Sequence, residues 1–349
     1  MTVGAKLGSW GRAITRGASR KMAAAMAALL AATTLTVVGA PEAAAANRDW
    51  LRPDATGNCD WDASMYWVQR CDVYSPAMKR NIPVLVQPAQ RGGDAALYLL
   101  DGMRADDNQT GWTMYSDAPA TYENSNLTLV MPIGGAGSFY TDWVGNASFS
   151  SSKPVVYMWE TFLTRELPAY LQQHFGVNPH RNSIGGLSMG ATAAMTLAAK
   201  HPDQFQQVLA FSGYLNTTAP GMGTLLRLAL IDTGGFNLSA MYGVLLNPRR
   251  FEDDPYWNME GLRGKDVYIS SASGLWGPAD ASLPLFPHMM GTALEVTSRV
   301  STRWWEAKAR AIGLNPTIDY VPVGVHNWWI WTDQLHKTRD RVLDVMNAH

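Results

Sequence analysis

A serine between two glycines gives the clearest chemical signal in the sequence. Ser188 lies in the pentapeptide G-L-S-M-G at 186–190, which has the spacing G-x-S-x-G. A predicted strand precedes it and an alanine-rich predicted helix follows it, which is the setting of a nucleophile elbow. Gly186 and Gly190 avoid side-chain clashes in so tight a turn, and the strained serine lifts its hydroxyl above the sheet. We therefore predict that Ser188 is a nucleophile and that the amide of Met189, at the helix N-terminus, donates to an oxyanion.

His326 is the best candidate for the base that a nucleophilic serine needs. In hydrolases with this elbow, the acid and the histidine follow the serine in that order. Among the seven histidines, His326 alone is predicted to lie in a loop after a late strand, from which a base can reach Ser188. The acid is less well defined by pattern. Five carboxylates between the serine and this histidine lie near predicted strand ends, and the pattern does not choose among them: Asp232, Asp266, Asp280, Glu295 and Asp319.

The segment L-L-D-G-M-R at 99–104 follows an apolar predicted strand and offers the second oxyanion donor. In this arrangement the second donor comes from a loop after an early strand, which indicates the amide of Met103. Asp101 and Arg104 then flank the pocket, where they can bind polar groups of a substrate. A surface ion pair is the plainer interpretation of these two charged residues.

Short apolar runs alternate with helical patterns after residue 80, which predicts an α/β fold with a mostly parallel, doubly wound sheet and helices on both faces. Together with the elbow, this pattern predicts the α/β-hydrolase fold. The predicted strands are 84–86, 95–100, 127–131, 182–186, 208–211, 267–271 and 317–321. The predicted helices are 157–175, 189–200, 289–312 and 331–346, and Pro168 is expected to kink or split the first of them.

The first 46 residues have the composition of a secretory signal peptide. Arg12, Arg16 and Arg20 belong to a positive stretch that is followed by an apolar run, and an A-x-A cleavage site precedes Asn47. We therefore expect the protein to be exported across the plasma membrane, and then either released or retained in the cell envelope.

The remaining 47–349 is expected to form one catalytic domain. Within it, 47–83 is predicted to be an N-terminal β extension that carries a disulfide between Cys59 and Cys71, since two nearby cysteines in an oxidising compartment most simply pair with each other. The loop-rich segment 217–262 is expected to be an insertion near the site.

Composition excludes several classes of function. The net charge is -1 and no basic run follows the N-terminal stretch, which argues against a nucleic-acid partner. No metal-ligand cluster or nucleotide-binding loop is visible, so no cofactor is expected. The chain has 14 tryptophans and only 16% charged residues, which is typical of proteins that bind sugars or apolar ligands and equally of a tryptophan-rich core.

Longer sequence blocks resemble those of the antigen 85-type mycolyltransferases, in particular the corynebacterial type of trehalose mycolyltransferase. The resemblance covers nearly the whole mature chain from about Tyr98 onward, and its blocks are more specific than the elbow alone. They are L-L-D-G-M-R at 99–104, S-F-Y-T-D-W at 138–143, W-E-T-F-L-T-R-E-L-P at 159–168, G-L-S-M at 186–189, H-P-D-Q-F at 201–205, G-M-G at 221–223 and H-N-W at 326–328.

The resemblance implies residue roles that spacing did not show. The acid of the family is a glutamate followed four residues later by an arginine, which is matched here by Glu295 and Arg299. Asn216 matches a position that is usually aspartate in the family. The residues that match trehalose contacts of the family near Ser188 and His326 are Asp101, Arg104, Arg299, Asn327 and Trp328.

The resemblance also implies the reaction and its partners. A mycolyl group moves from trehalose monomycolate, through a mycolyl-serine, to a second trehalose monomycolate or to arabinogalactan, as a step of cell-envelope biogenesis. The first acceptor gives trehalose dimycolate. Family members are in addition linked to fibronectin binding.

Several positions depart from the mycobacterial pattern. The motif His-Ser-Trp is His-Asn-Trp here, a cysteine pair before the block at 159–168 is replaced by serine and lysine, and a cysteine is replaced by Ile269. The cysteine pair at 59 and 71 is not part of that pattern either. These differences leave the catalytic set intact.

Two other functions compete with acyl transfer. A secreted carboxylesterase would use the same triad with water as acceptor. A non-catalytic envelope or adhesion protein could keep the fold, although retention of Ser188, Glu295 and His326 together argues against a purely binding role.

Overall fold

A computed structural model of the chain describes residues 59–243 and 247–349, so the predicted signal peptide at 1–46 and the start of the predicted extension, 47–58, lie outside the described residues. At the centre is a nine-stranded sheet with the order β1-β2-β3-β5-β4-β6-β7-β8-β9. The pairs β1–β2, β2–β3 and β3–β5 are antiparallel and all others are parallel. The strands are β1 Cys59–Trp61, β2 Gln69–Ser75, β3 Arg80–Gln87, β4 Ala95–Leu100, β5 Leu127–Pro132, β6 Asn182–Leu187, β7 Phe205–Phe211, β8 Asp266–Ala272 and β9 Thr317–Val321.

The central strands are covered on both faces, which explains their nearly continuous apolar sequences. Every residue of β4, β5 and β6 is buried. Successive residues of β4 enter two different cores: Tyr98 and Leu100 pack in one hydrophobic cluster, whereas Leu97 and Leu99 pack in the other. The predicted mostly parallel α/β sheet is therefore confirmed, and the strands predicted at 95–100 and 317–321 have the predicted bounds.

Helices lie on both faces of the sheet. They are α1 Gly111–Met114, α2 Ala118–Tyr122, α3 Trp159–Thr161, α4 Leu167–Phe175, α5 Met189–Lys200, α6 Met222–Gly234, α7 Leu238–Tyr242, α8 Arg249–Glu252, α9 Leu285–Ala311 and α10 Trp328–Met346. A π-helical turn, Phe162–Glu166, joins α3 to α4, so the helix that was predicted to kink or split at Pro168 widens before the proline and continues through it.

Two helices begin earlier than predicted, and both carry predicted site residues. Helix α9 begins at Leu285 instead of residue 289, so His288, which was predicted to precede it, lies in its first turn. Glu295 consequently lies near the third turn, where it is fully buried, and not at the start of the helix. Helix α10 begins at Trp328 because the side chain of Asn327 accepts a hydrogen bond from the Trp328 amide and caps the helix.

The N-terminal β structure carries the predicted disulfide. Cys59 on β1 is bonded to Cys71 on β2, and the two residues are register partners in the antiparallel ladder. The predicted insertion at 217–262 contains more regular structure than its sequence indicated. It contains α6, and two short helices, α7 and α8, follow. None of the helices in the described part of the chain combines the length and hydropathy that a membrane span requires.

Candidate active site

Ser188 lies on the predicted elbow, between β6 and α5. Its φ of 53° and ψ of -118° are unusual for a residue with a side chain, and only 9% of the residue is exposed. A Cβ added to Gly186 would come within 2.5 Å of the Gly190 backbone, and one added to Gly190 would come within 2.4 Å of the Asp101 carbonyl oxygen. The turn is therefore so tight that both flanking positions require glycine.

Glu295 and His326 form a hydrogen-bonded pair. Nδ1 of His326 lies 2.7 Å from Oε2 of Glu295, and the side chains are 6% and 0% exposed. The His326 amide donates to the carbonyl oxygen of Gly291, which fixes the histidine loop to α9. Nε2 of His326 is buried and has no hydrogen-bond partner among the described residues. This nitrogen is free to accept a proton from a hydroxyl.

The four other carboxylates that the pattern left open are engaged elsewhere. Each accepts hydrogen bonds from partners that do not include His326. Asp232 pairs with Arg104, Asp266 with Arg341, Asp280 with the indole of Trp329, and Asp319 with Lys337. Glu295 is thus the carboxylate that the fold brings to the histidine.

Sequence reasoning missed three residues that surround this pair. Ser212 donates its hydroxyl hydrogen bond to Oε1 of Glu295 at 2.9 Å, and its oxygen accepts from the indole of Trp331 at 3.1 Å. The Trp331 ring packs edge-on against His326 with 5.0 Å between ring centroids. The hydroxyl of Tyr214 lies beside Ser188, and its ring centroid is 6.0 Å from that of His326.

Burial raises the pKa of Tyr214 well above its ordinary value, and the nearby Glu295 adds to this effect, so the phenol stays protonated. Ser212 and Tyr214 follow β7, the strand beside the elbow strand, which is the one signal in the sequence that could have indicated them.

The two predicted oxyanion donors lie on segments that flank the serine. Met189 is the first residue of α5, where an amide has no acceptor within the helix. Met103 follows Gly102, and a Cβ added to Gly102 would lie 3.5 Å from Cβ of Ser188. The Met103 carbonyl accepts from the amide of Gly137, which holds the loop in place. The backbone at 102–103 therefore borders the serine, as a second donor must.

Asp101 and Trp328 meet close to this loop. Both carboxylate oxygens of Asp101 accept from the Gly111 amide, at 3.2 and 3.1 Å, and a Cβ added to Gly111 would collide with the Trp328 ring. Asp101 is only 3% exposed. Burial raises its pKa to about 7, although hydrogen bonds from Thr110 and Gly111 oppose the shift. The group therefore changes charge near neutral pH.

The other predicted sugar contacts are engaged within the protein. Arg104 forms an ion pair with Asp232 on α6, with the arginine side chain 45% exposed. Arg299 donates to the carbonyl oxygens at the ends of β8 and β9 and lies 4.9 Å from the centroid of the Tyr320 ring. Asn327 caps α10, as described above. The structure thus brings Asp101 and Trp328 together, ties Arg104 to the insertion and holds Arg299 at the strand ends.

Asn216 lies in the loop after β7 and is 8% exposed. Its amide donates to Ser301 on α9, which joins this loop to the helix that carries Glu295. Across residues 59–243 and 247–349, histidine, cysteine, aspartate and glutamate side chains form no group that could hold a metal ion.

Comparison with known proteins gives a consistent answer over most of the chain. The Esterase family model, described as "Putative esterase", matches residues 75–341. A diacylglycerol acyltransferase/mycolyltransferase Ag85C from Mycobacterium avium is 33% identical over 325 residues, covering 93% of this chain and 86% of that protein. An Ag85A from Mycobacterium tuberculosis is 35% identical over 281 residues, covering 80% and 82%.

Solved structures agree with the fold. The crystal structure of Mycobacterium tuberculosis MPT51 (FbpC1) has a TM-score of 0.69 and 26% identity, covering 80% of this chain and 98% of that one. An S-formylglutathione hydrolase from Agrobacterium tumefaciens has a TM-score of 0.61, covering 84% and 100%, and at 17% identity it supports the fold alone.

Proposed function

Because the chain belongs to the esterase family that includes the Ag85 mycolyltransferases, it is an acyltransferase, and we propose that it moves a mycolyl group between trehalose-containing lipids. The observation that carries the proposal is the hydrogen-bonded pair of Glu295 and His326 together with a serine on a strained elbow, with Tyr214 next to both the serine and the histidine. Within the described part of the chain, the buried Nε2 of His326 is the one side-chain nitrogen or oxygen of this pair without a hydrogen-bond partner.

In the first step, Oγ of Ser188 attacks the ester carbonyl carbon of trehalose monomycolate and its proton passes to Nε2 of His326. Glu295 orients the imidazole and stabilises the imidazolium that forms. The amides of Met103 and Met189 donate to the oxyanion, and each such donor contributes about 3–4 kcal/mol. The imidazolium then protonates the trehalose oxygen, the ester bond breaks, and trehalose leaves a mycolyl-serine.

In the second step, a sugar hydroxyl of a second trehalose monomycolate or of arabinogalactan gives its proton to His326 and attacks the carbonyl carbon of the mycolyl-serine. The imidazolium returns that proton to Oγ of Ser188 as the bond between Oγ and the acyl carbon breaks, which releases the mycolylated sugar and restores the free serine. Transfer in preference to hydrolysis requires that the acceptor sugar be held close to the acyl-serine, so that it reacts ahead of water. Asp101 and Trp328 support such a sugar site, because a carboxylate accepts from sugar hydroxyls and an indole packs against a sugar face. Arg104, Arg299, Asn216 and Asn327 stay predictions as sugar contacts.

The setting of this reaction is the cell envelope. This proposal includes a signal peptide at 1–46, export of the mature chain from Asn47 and a single catalytic domain at 47–349. The disulfide between Cys59 and Cys71 suits an oxidising compartment. Binding of fibronectin rests on the family resemblance alone and stays a prediction.

The proposal is tested by incubating the purified mature chain with trehalose monomycolate and separating the products by thin-layer chromatography. Wild-type protein should form trehalose dimycolate, and a Ser188→Ala variant should form none. A Ser152→Ala variant, which alters an exposed serine, is the matched control and should behave like wild type. Free mycolic acid without dimycolate would contradict transfer to trehalose, and equal turnover by Ser188→Ala would contradict the nucleophile.

A further inference from the structure

One face of α9 is apolar and exposed along nearly its whole length. Six exposed residues, spaced three or four apart, form this apolar stripe: Leu285, Met289, Ala293, Val296, Val300 and Trp304. With about 100° of rotation per residue, they lie within a sector roughly 100° wide. Glu295 and the other buried residues of the helix lie on the opposite side. The stripe is therefore a continuous surface and not a set of scattered exposed side chains.

The stripe is continuous with the loops of the candidate active site. Leu275 and Trp276, which are 62% and 51% exposed, lie at its edge, and the Trp276 indole donates to Thr292 of α9 at 2.8 Å. The carbonyl of Leu275 accepts from the Gly324 amide, two residues before His326. A surface or molecule that binds the apolar stripe would therefore also lie beside the loop that carries His326, the proposed base.

We propose that this apolar stripe, with Leu275 and Trp276, docks the enzyme on a lipid surface of packed acyl chains with anionic headgroups. The remaining exposed residues of α9 are Arg303, Ala307, Arg310 and Ala311, and none of them is acidic. Arg310 pairs with the half-buried Glu306, which leaves Arg303 as the arginine beside the apolar stripe that suits anionic headgroups. Tryptophans such as Trp276 and Trp304 favour the interface between acyl chains and water.

A second copy of the chain fits this surface less well. In a twofold pairing of antiparallel α9 helices, Arg303 of one copy would face the Leu285 and Met289 end of the other, where no exposed acid of the helix is available. In a parallel pairing, Arg303 would face its own equivalent. Arg303 packs over the Tyr320 ring and lies near the charge of Glu306. Neither pairing of two copies gives it a further partner, whereas an anionic lipid surface does.

Docking on lipid would also serve the proposed acyl transfer, and this benefit rests on the proposed function. An acyl donor with long apolar chains resides in a lipid layer, and an enzyme held on that layer meets its substrate without extracting it into water. The physical claim about lipid binding does not depend on turnover, so it can be tested separately.

The test is co-sedimentation of the mature chain with vesicles made of equal parts phosphatidylcholine and phosphatidylglycerol. We expect the wild type to bind, and a Val296→Asn, Val300→Asn, Trp304→Ser variant to bind at least about tenfold more weakly, because the lost apolar contacts drive insertion. Arg303→Gln should weaken binding to these vesicles roughly fivefold and leave binding to pure phosphatidylcholine unchanged. Tyr74→Ser, which alters a residue 59% exposed on β2, is the matched control and should bind like wild type.

Two measurements keep the outcomes separable. Hydrolysis of a soluble short-chain nitrophenyl ester reports whether the active site of each variant is intact. If the wild type does not hydrolyse this ester, the result counts against the proposed function and not against docking. Sedimentation velocity without vesicles reports self-association. A wild-type dimer that the triple substitution disperses, or equal vesicle binding by wild type and triple variant, would overturn the proposal.

Discussion

Ser212 and Glu295, 83 residues apart in the chain, are joined by a hydrogen bond of 2.9 Å from the serine hydroxyl to Oε1. The Trp331 indole donates to the same serine oxygen, so the serine hydrogen is left to point at the carboxylate. The Ala272 amide donates to Oε1 as well, and His326 lies on Oε2. The orientation of the proposed acid is thus set by β7, β8 and α10 together.

The first prediction concerns the hydroxyl of Ser212, which we expect to act as a positioning group. Ser212→Ala should lower kcat roughly tenfold with little change in KM, because a hydrogen bond to a charged group contributes about 1.5–3 kcal/mol and one other donor to Oε1 remains. Since φ of Ser212 is 53°, Ser212→Gly relieves the backbone while it also removes the hydroxyl. Steady-state kinetics should place both variants at the same reduced kcat, and a near wild-type Gly variant would contradict the prediction.

The second prediction separates Glu295 from Asp280, two of the five acids among which the sequence pattern did not choose. Glu295→Gln should lower kcat by about 10³–10⁴-fold, because the imidazolium loses its counter-charge and the imidazole its orientation. Asp280→Asn is the matched control, since Asp280 is equally buried but accepts from the Trp329 indole. Its kcat should stay within about threefold of wild type. The reverse order of effects would show that the acid has been assigned to the wrong residue.

The choice between these acids could not be made from spacing because it depends on packing over a long sequence separation. Glu295 reaches His326 since α9 packs against β8 and the histidine amide bonds to Gly291 on that helix. Asp280 is closer to β8 in the chain, yet its carboxylate accepts from the Trp329 indole and the Gly277 amide. The family resemblance indicated Glu295, and this residue lies within hydrogen-bond distance of His326. Its role as the acid stays a prediction.

There is a physical reason why the sequence predicted the strands, and another why it did not predict the short helices and the residues around the site. Strands buried on both faces need nearly continuous apolar residues, and a run such as 95–100 is visible without any partner. Helices α1 and α2 have four and five residues, too few to establish a helical period. Ser212 and Tyr214 belong to no motif, and their role follows only from β7 being the neighbour of β6.

The third prediction uses the raised pKa of Asp101. Above about pH 7 the group is ionised and accepts sugar hydroxyls more strongly, so the KM for trehalose as acceptor should fall as the pH rises through about 7. Asp101→Asn should have a higher KM without this inflection. An inflection that persists in the variant would assign it to another group.

The raised pKa of Asp101 also has a consequence for stability. A carboxyl whose pKa is higher in the folded state stabilises the fold while protonated, and this contribution is lost as the pH rises from about 4 to about 7. The free energy of unfolding of Asp101→Asn should therefore increase relative to wild type across that window, which urea titration at several pH values can measure.

The fourth prediction concerns a half-buried ionic network at the C-terminal end of α5, where Glu160 accepts from Lys200 and His201 at 2.7 and 2.8 Å. Burial alone would raise the pKa of Glu160, but hydrogen bonds from His201 and Lys200, with their charges, outweigh it and lower the pKa to about 2. A lowered carboxylate pKa stabilises the fold above about pH 4.5, and this stability is lost as the pH falls toward 2.

Glu160→Gln should therefore lower the free energy of unfolding by about 2 kcal/mol at pH 7, a value reduced for partial solvent screening. The difference from wild type, measured by urea unfolding, should shrink steadily as the pH falls from 5 to 2. Glu260→Gln is the matched control, because Glu260 pairs with Arg263 on the surface, where its side chain is 62% exposed. That variant should unfold like wild type at each pH. A Glu160 effect of constant size across this range would mean that packing, and not charge, is what the glutamate contributes.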